Sequence, residues 1–322
     1  MESKVRKIQL TGGSTYIVSL PLDWIASNSL KKGSEVEVAE EGNSIVINPG
    51  VQKRELVRTI NVNDKVDPKR FQRILVSAYI ANFEILVVRS RTRMNESIRE
   101  SVKDFSKLVM GVEIFEESSN RIVLQNVLDS TSFPFQKAIR RMSGNVESML
   151  QDVLNGIRDL DPELLKNVER RDDEIDRYQW YIFREINKNP REPGSTFTLI
   201  LSRILERIAD HAVNICSMIV ANQEETKASM ELIAESLSIS IDTFKDAMNG
   251  FYQDRFENLN EIIDMKHKIR IDKEKFARAI RSSKSSILPR ISEEIFRIGF
   301  YGTDIAELAM DRIISSREEI DI

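Results

Sequence analysis

The sequence predicts a mainly α-helical, multidomain protein, and three observations lead to this fold class. From residue 132 onward the chain consists of long stretches with helical periodicity. The first fifty residues contain short β-rich runs separated by glycine turns. In residues 53–130 strand and helix patterns alternate. We therefore predict domains at residues 1–52, 53–130 and 131–322, the last built from two three-helix repeats at 131–223 and 224–322.

Length and composition limit the classes of protein that are possible. A chain of 322 residues exceeds one ordinary hydrophobic core. The single cysteine, Cys216, excludes an internal disulfide framework and fits a reducing compartment. The sequence has no uncharged apolar run of the roughly eighteen residues that a membrane helix needs, and residues 1–7 lack the apolar core of a signal peptide. We expect a cytoplasmic protein that is not an integral membrane protein.

The net charge of -4 is unevenly distributed. Residues 1–93 carry 15 Lys/Arg against 10 Asp/Glu, and the remainder carries 32 against 41. The basic excess lies between Lys53 and Arg93, because residues 1–52 alone hold 5 basic against 6 acidic side chains. A basic N-terminal part and an acidic C-terminal part indicate different binding partners for the two parts of the chain.

The N-terminal domain is predicted to contain four short strands around one short helix. Glycines 12 and 13 separate the first two strands, Pro21 opens the helix, and a turn at Glu41-Gly42-Asn43 joins the last two. A unit of about fifty residues buries too little apolar surface to be stable alone. We therefore expect a homodimer through this domain.

The segment from Ile8 to Pro21, with Trp24-Ile25 and Leu30 to Val38 after it, resembles the SpoVT/AbrB-type swapped-hairpin domain. The resemblance implies that two chains interleave their hairpins into one small β-barrel and present basic loops to DNA. The positions that match this role are Lys4, Arg6, Lys7, Lys31 and Lys32. The alternative is a pure dimerisation module with solvated charges, since the net charge of the domain is near zero.

The second domain is predicted to be a small α/β sandwich. The order is strand, helix, strand, helix, strand, strand, with Asp67-Pro68 marking the start of the first helix. The sequence shows no phosphate-binding glycine loop, catalytic triad or metal-ligand spacing here. Six basic residues either form a basic surface or are ordinary solvated side chains: Lys69, Arg70, Arg73, Arg89, Arg91 and Arg93.

Two pairs of acids stand out in the helical domain. Asp172 and Asp176 lie four residues apart on the second predicted helix (161–186), and Glu206 and Asp210 lie four apart on the third (195–222). Short connections make these helices antiparallel neighbours, so four carboxylates converge, which requires a cation. All-oxygen ligation favours Mg²⁺, Mn²⁺, Ca²⁺ or iron over zinc.

Weaker ligand candidates are Glu169, Asp173 and Asn214, whereas His211 is expected to be packed or exposed rather than ligating. The alternative is a solvated acidic face that Arg170, Arg171, Arg177 and Arg207 neutralise. A gapless overlay places Lys266, Arg270, Gly299 and Thr303 of the second repeat at the four acid positions. We therefore expect at most one cation site, in the first repeat.

Residues 132 to 316, with the acid pairs and the segment His211-Ala212-Val213-Asn214-Ile215, resemble the PhoU family. The resemblance implies a non-enzymatic regulator that binds divalent cations or iron and acts on phosphate transporters and their sensor kinases. Three hypotheses follow: a DNA-binding transcriptional regulator of phosphate uptake, an adaptor that contacts a phosphate ABC transporter or sensor kinase without binding DNA, and, last, a metal-dependent phosphohydrolase. The sequence offers no catalytic residue for the third.

Overall fold

The structure is a computed structural model that describes residues 5–41, 44–49, 56–63, 65–129, 131–253, 256, 258–283, 285–317 and 319. Its contacts divide the chain into two compact units, Met1–Glu55 and Leu56–Ile322. The predicted fold class is confirmed: a small strand region and an α/β region precede a large helical part. The α/β and helical parts lie together in the second unit.

The first unit contains two antiparallel hairpins joined by a short helix. Its elements are β1 Gln9–Thr11, β2 Thr15–Ile17, α1 Leu22–Ser27, β3 Val36–Glu41 and β4 Ser44–Pro49. Gly12 and Gly13 have φ angles of 61° and 83°, a conformation that glycine adopts without strain, and they allow β1 to turn into β2. In the described residues each hairpin forms its own two-stranded sheet. The interleaved barrel needs a second chain and stays a prediction.

The α/β region has two helices on a four-stranded sheet. Its elements are β5 Val57–Val62, α2 Pro68–Ile80, β6 Ile85–Ser90, α3 Glu96–Leu108, β7 Val112–Glu117 and β8 Arg121–Asn126. The strand order is β5-β6-β8-β7, with β5 parallel to β6 and β8 antiparallel to both neighbours. Asp67 and Asn95 begin the two helices, and each side chain accepts a hydrogen bond from a backbone N–H of the first turn.

The helical part contains two sets of three long helices. Its elements are α4 Phe135–Arg158, α5 Pro162–Glu169, α6 Asp172–Lys188, α7 Ser195–Ala221, α8 Gln223–Thr226, α9 Met230–Gln253, α10 Leu259–Ala279 and α11 Leu288–Ser315. Helices α4, α6 and α7 form the first set, and α9, α10 and α11 the second. One continuous hydrophobic core runs through both sets, so the repeats share their apolar interior.

The sequence predicts an N-cap at Ser132 and single helices over 161–186 and 224–252, and the structure differs at all three places. The predicted helix over 161–186 is broken into α5 and α6, because Arg171 forms two tight turns and its side chain bonds to Asp152 Oδ2 (2.7 Å) and Asn145 O (3.3 Å) on α4. Ser132 does not cap α4; its hydroxyl donates to Asp129 O at 2.7 Å, and Pro134 holds the cap position. The predicted helix over 224–252 is likewise divided, by the 3₁₀ turn Lys227–Ser229.

The break before α6 has a consequence for the acids. It places Asp172, Asp173 and Glu174 in the first turn of a new helix rather than in the middle of a long one. Carboxylates are favoured at this position because the helix dipole and the unpaired N–H groups there are positive. The N-terminus of α6 therefore helps to hold negative charge beside α7.

Arg184 joins the helical part to the α/β region. This residue of α6 is 1% exposed, and its guanidinium donates to the carbonyl oxygens of Tyr79 (3.0 Å) and Phe83 at the end of α2. The guanidinium also lies over the rings of both aromatic residues. The far end of the helix that begins with Asp172 is thus fixed to the α/β region.

Candidate cation site in the helical domain

The first helical repeat brings the two predicted acid pairs together. Helices α6 and α7 pack side by side, and Gln179 of α6 connects them by accepting a hydrogen bond from Arg203 Nη1 at 3.1 Å. Ile175 and Ile208 are buried between the acids and the core. The four side chains that this packing brings together, Asp172, Asp176, Glu206 and Asp210, are called the acid cluster below.

The carboxyl groups of the acid cluster raise one another's pKa. Burial, followed by repulsion from Asp210, Asp173 and Glu206, raises the pKa of Asp172 from 3.8 to about 6. Burial, followed by repulsion from Asp172, Glu206 and Asp210, raises the pKa of Asp176 to about 7. The pKa of Glu206 is also raised, chiefly by burial and then by Asp210. The carboxylates of α6 and those of α7 therefore repel one another across the helix interface.

Among the described residues, the ion pairs between arginine and the acid cluster involve Glu206 alone. Arg171 bonds to Asp152 instead, at 2.7 Å. Arg203 Nη1 and Arg207 Nε each lie 3.9 Å from Glu206 Oε2, and both arginine side chains are more than half exposed. Glu206 Oε2 itself is buried and has no hydrogen-bond partner within the described residues. A buried carboxylate oxygen that accepts no hydrogen bond and lies beside other acids is costly, and a bound cation would lower this cost.

The donor set fits a hard cation in its chemistry. Its oxygens are all carboxylate, which suits Mg²⁺, Mn²⁺, Ca²⁺ or iron, and Glu206 Oε2, which accepts no hydrogen bond within the described residues, can serve as a ligand atom. Within the described ranges, however, no three Asp, Glu, His or Cys side chains are already placed to hold an ion together. Binding therefore requires carboxylate side chains to rotate toward a common point.

The weaker ligand candidates have other roles. Glu169 Oε1 accepts a hydrogen bond from Ser217 Oγ at 2.7 Å, which links the end of α5 to α7. Asn214 Nδ2 donates to Glu294 Oε2 at 3.1 Å, away from the acid cluster. Asp173 is exposed and adds negative charge that raises the pKa of both Asp172 and Asp176.

His211 packs between the two repeats. Its Nδ1 lies 2.6 Å from Glu294 Oε2 of α11, and its ring stacks on Tyr301 with centroids 5.7 Å apart. The carboxylate of Glu294, which the sequence did not identify as a functional residue, thus contacts both His211 Nδ1 and Asn214 Nδ2. The spacing His211 to Asn214 places them on one face of α7, but no local pattern could have identified a partner 80 residues later.

The second repeat uses the equivalent positions for packing and ion pairs. Lys266, at the place of Asp172, lies 3.5 Å from Glu307 Oε1 and 3.8 Å from Asp304 Oδ1. Gly299, at the place of Glu206, allows α11 to approach α9, since an added Cβ would lie 2.9 Å from Ser240 Oγ. Thr303, at the place of Asp210, is buried and donates to Phe300 O at 2.7 Å.

The basic residues predicted for DNA lie on the surface of the first unit. Arg6 and Lys7 precede β1, and Lys31 and Lys32 lie in the connection between α1 and β3; all four are exposed. Lys4 lies outside the described residues. In the described parts of the chain, no helix is both long and apolar enough to cross a membrane.

Fold and site together define a multidomain protein with a strand-rich N-terminal unit, an α/β region and a helical repeat that carries an acid cluster. Residues 139–219 match the PhoU domain family, and all four acids fall within this match. Residues 9–55 match the family described as antidote-toxin recognition MazE, bacterial antitoxin. These two matches confirm both resemblances predicted from the sequence, one for part of the helical repeats and one for the N-terminal unit.

Similar proteins share parts of this chain. Two strains of Caulobacter vibrioides have a "Phosphate-specific transport system accessory protein PhoU homolog" that is 36% identical over 88 residues, 26% of this chain and 38% of the relative. The chain thus matches well under half the length of these relatives. The crystal structure of the regulatory protein PhoU from Streptococcus pneumoniae has a TM-score of 0.49 at 15% identity and covers 58% of this chain and 96% of that one. The crystal structure of PhoU from Pseudomonas aeruginosa has a TM-score of 0.48 at 17% sequence identity and covers 59% of this chain and 100% of that one.

Proposed function

We propose that this protein regulates phosphate uptake, binding DNA as a dimer through its N-terminal unit and binding one divalent cation or iron ion at the acid cluster. The observation that carries the cation part is the buried Glu206 Oε2, which accepts no hydrogen bond within the described residues and lies among carboxylates whose pKa values are raised. The phosphate part rests on the PhoU match at residues 139–219 and on the named role of the similar Caulobacter proteins. The proposed role is regulatory rather than enzymatic.

The dimer is supported by the surface of the first unit. No described residue between 5 and 49 is fully buried, and Val5, Ile8, Leu10, Tyr16 and Leu22 are each more than half exposed. Single chains do not keep so many apolar side chains in water without a partner surface. A second copy of the same unit, packed through these side chains, supplies the missing core.

DNA binding is supported by the exposed basic residues at the two ends of this unit. Arg6 and Lys7 with Lys31 and Lys32 become eight basic side chains in a dimer, and phosphate contacts require only correctly placed positive charge. The matching test is an unbiased sequence-selection binding assay on the full chain and on a chain that lacks residues 1–52. We expect selection of a DNA sequence by the full chain alone, with affinity that falls steeply with salt and weakens in the Arg6→Ala/Lys7→Ala variant.

A second candidate function is an adaptor that contacts a phosphate ABC transporter or sensor kinase without DNA. The near-neutral charge of residues 1–52 favours this role, in which the first unit only dimerises. Selection of no DNA sequence even at low salt would decide for the adaptor. A metal-dependent phosphohydrolase ranks last, because no nucleophile accompanies the acid cluster; phosphoester turnover with Mn²⁺ that disappears in Asp172→Asn would restore it.

A further inference from the structure

A second polar site lies in the α/β region, where strands β5 and β6 end. A cavity of about 650 Å³ opens there, lined by residues 61–63 and 89–92. This volume is within the range of pockets that bind small organic molecules. The cavity is called the strand-end cavity below, and it belongs to neither the PhoU match nor the MazE match.

The topology brings its lining residues together. Strands β5 and β6 are parallel, with Asn61 opposite Arg89 and Val62 opposite Ser90. Both strands therefore leave the sheet at the same edge, and the residues that follow them meet side by side. The carboxyl ends of parallel strands are the usual ligand-binding edge of α/β sheets.

The two arginines of the cavity lack the partners that nearby arginines have. Arg99 pairs with Glu117, and Arg121 pairs with both carboxylate oxygens of Glu116 at 2.8 Å. Arg89 instead contacts only a neutral amide, through Nε to Asn61 Oδ1 at 2.6 Å. In the portion of the chain that the structure describes, neither Arg89 nor Arg91 is ion-paired. Within the described residues, the two positive charges that line this cavity therefore have no carboxylate partner.

The backbone that carries Arg91 is fixed on both sides. Ser90 N donates to Asn120 O and Met94 N donates to Ser119 O, both at 2.9 Å, and Met94 is buried. The loop is therefore attached to the turn between β7 and β8 rather than left to move freely. A fixed loop lowers the ordering cost of binding an anion.

We propose that the strand-end cavity binds a small phosphorylated molecule, with its phosphate held by Arg89 and Arg91. Guanidinium groups bind phosphate oxygens through paired, charge-assisted hydrogen bonds. The Ser90 hydroxyl and the Asn63 amide line the same cavity and complete a polar surface around the anion. The surrounding sequence favours an anion too, since residues 56–93 hold 8 Lys/Arg against 3 Asp/Glu. This site is independent of the cation and DNA proposals.

Titration calorimetry on the full chain tests the proposal with four probes: orthophosphate, pyrophosphate, ribose 5-phosphate and adenosine 5′-monophosphate. We expect at least one to bind, and unphosphorylated ribose or adenosine not to bind. Arg91→Gln should weaken binding about tenfold or more, the loss of one charge-assisted contact. Asn61→Asp should do the same by placing a carboxylate against Arg89, while keeping the acceptor that Arg89 uses.

Arg73→Gln is the matched control, because Arg73 is exposed on α2 of the same region and does not line the cavity. Its affinity for the bound probe should stay within about twofold of the parent, as expected for a screened surface charge. Circular dichroism of each variant confirms that the fold is kept. Failure of all four probes to bind, or equal losses in Arg73→Gln and Arg91→Gln, would overturn the proposal. The proposal would also be overturned if the cavity variants weakened binding of a DNA duplex but of no small molecule.

Discussion

Replacing Asp176 with asparagine should change how the stability of the helical domain depends on pH. Asp176 carries a carboxyl whose pKa is raised from 3.8 to about 7 by burial and by the other members of the acid cluster. The unfolded chain releases this proton near pH 4, whereas the folded chain holds it up to about pH 7. Between these values the folded state binds more protons, so stability falls as pH rises.

The size of the effect follows from the same values. The full difference between 3.8 and about 7 corresponds to about 4 kcal/mol. Asp176 is only partly buried, so solvent screening and side-chain rotation reduce this to about 1–2 kcal/mol. In chelator-treated protein at pH 8, Asp176→Asn should therefore be more stable than the parent by about 1–2 kcal/mol, or roughly 2–8 °C in Tm. At pH 4 the difference should nearly vanish.

Thermal unfolding followed by circular dichroism at pH 4, 6 and 8 measures this difference. Asp242→Asn, an exposed acid on α9, is the matched control and should show no such pH-dependent gain. A variant that is less stable than the parent at pH 8, or a gain that is equal at pH 4 and pH 8, would refute the reasoning that the four carboxylates repel one another.

Three further predictions concern packing and assembly. Gly302→Ala should lower the free energy of unfolding by about 1–3 kcal/mol, because the added Cβ would lie 3.1 Å from Phe244 N. The control, Gly144→Ala, has open space around it and should be neutral or stabilising. The Tm of each variant is compared with that of the parent protein. Arg184→Met should cost about 2–4 kcal/mol, since it removes the side-chain donor of the Phe83 carbonyl and one donor of the Tyr79 carbonyl, which also accepts from Asn82 N. Hydrogen exchange at the end of α2 should accelerate. Leu10→Glu should disrupt the proposed dimer and give a monomer in analytical ultracentrifugation, as Leu10 is 58% exposed in one chain. Glu96→Gln, in the α/β region, should leave the assembly unchanged.

The helical architecture could be predicted from the sequence because it depends on local patterns. Apolar spacing, the N-caps Asp67 and Asp161, and the repeated trio gave the order of elements, and the i,i+4 acids gave the face of each helix. The break between α5 and α6 could not be predicted, because it depends on the contact of Arg171 with Asp152 on another helix. Helical propensity alone favours one continuous helix through this stretch.

The candidate sites divide in the same way. The acid cluster could be predicted because antiparallel packing of two neighbouring helices follows from a short connection. The role of Glu294 could not, because it depends on how the second repeat lies on the first. The strand-end cavity could be predicted only in part: the sequence contains the basic residues, but only the parallel register of β5 and β6 places Arg89 opposite Asn61 and so brings the ends of the two strands together.

The number of cations bound per chain tests the central claim most directly. Calorimetric titration of the chelator-treated full chain with Mn²⁺, followed by metal analysis, should give one ion per chain. Binding should be lost in Asp176→Asn and Glu206→Gln and kept in Asp304→Asn, which changes an acid of the second repeat beside Lys266. Two ions per chain, or binding that survives in Asp176→Asn and Glu206→Gln, would contradict a single cation site at the acid cluster.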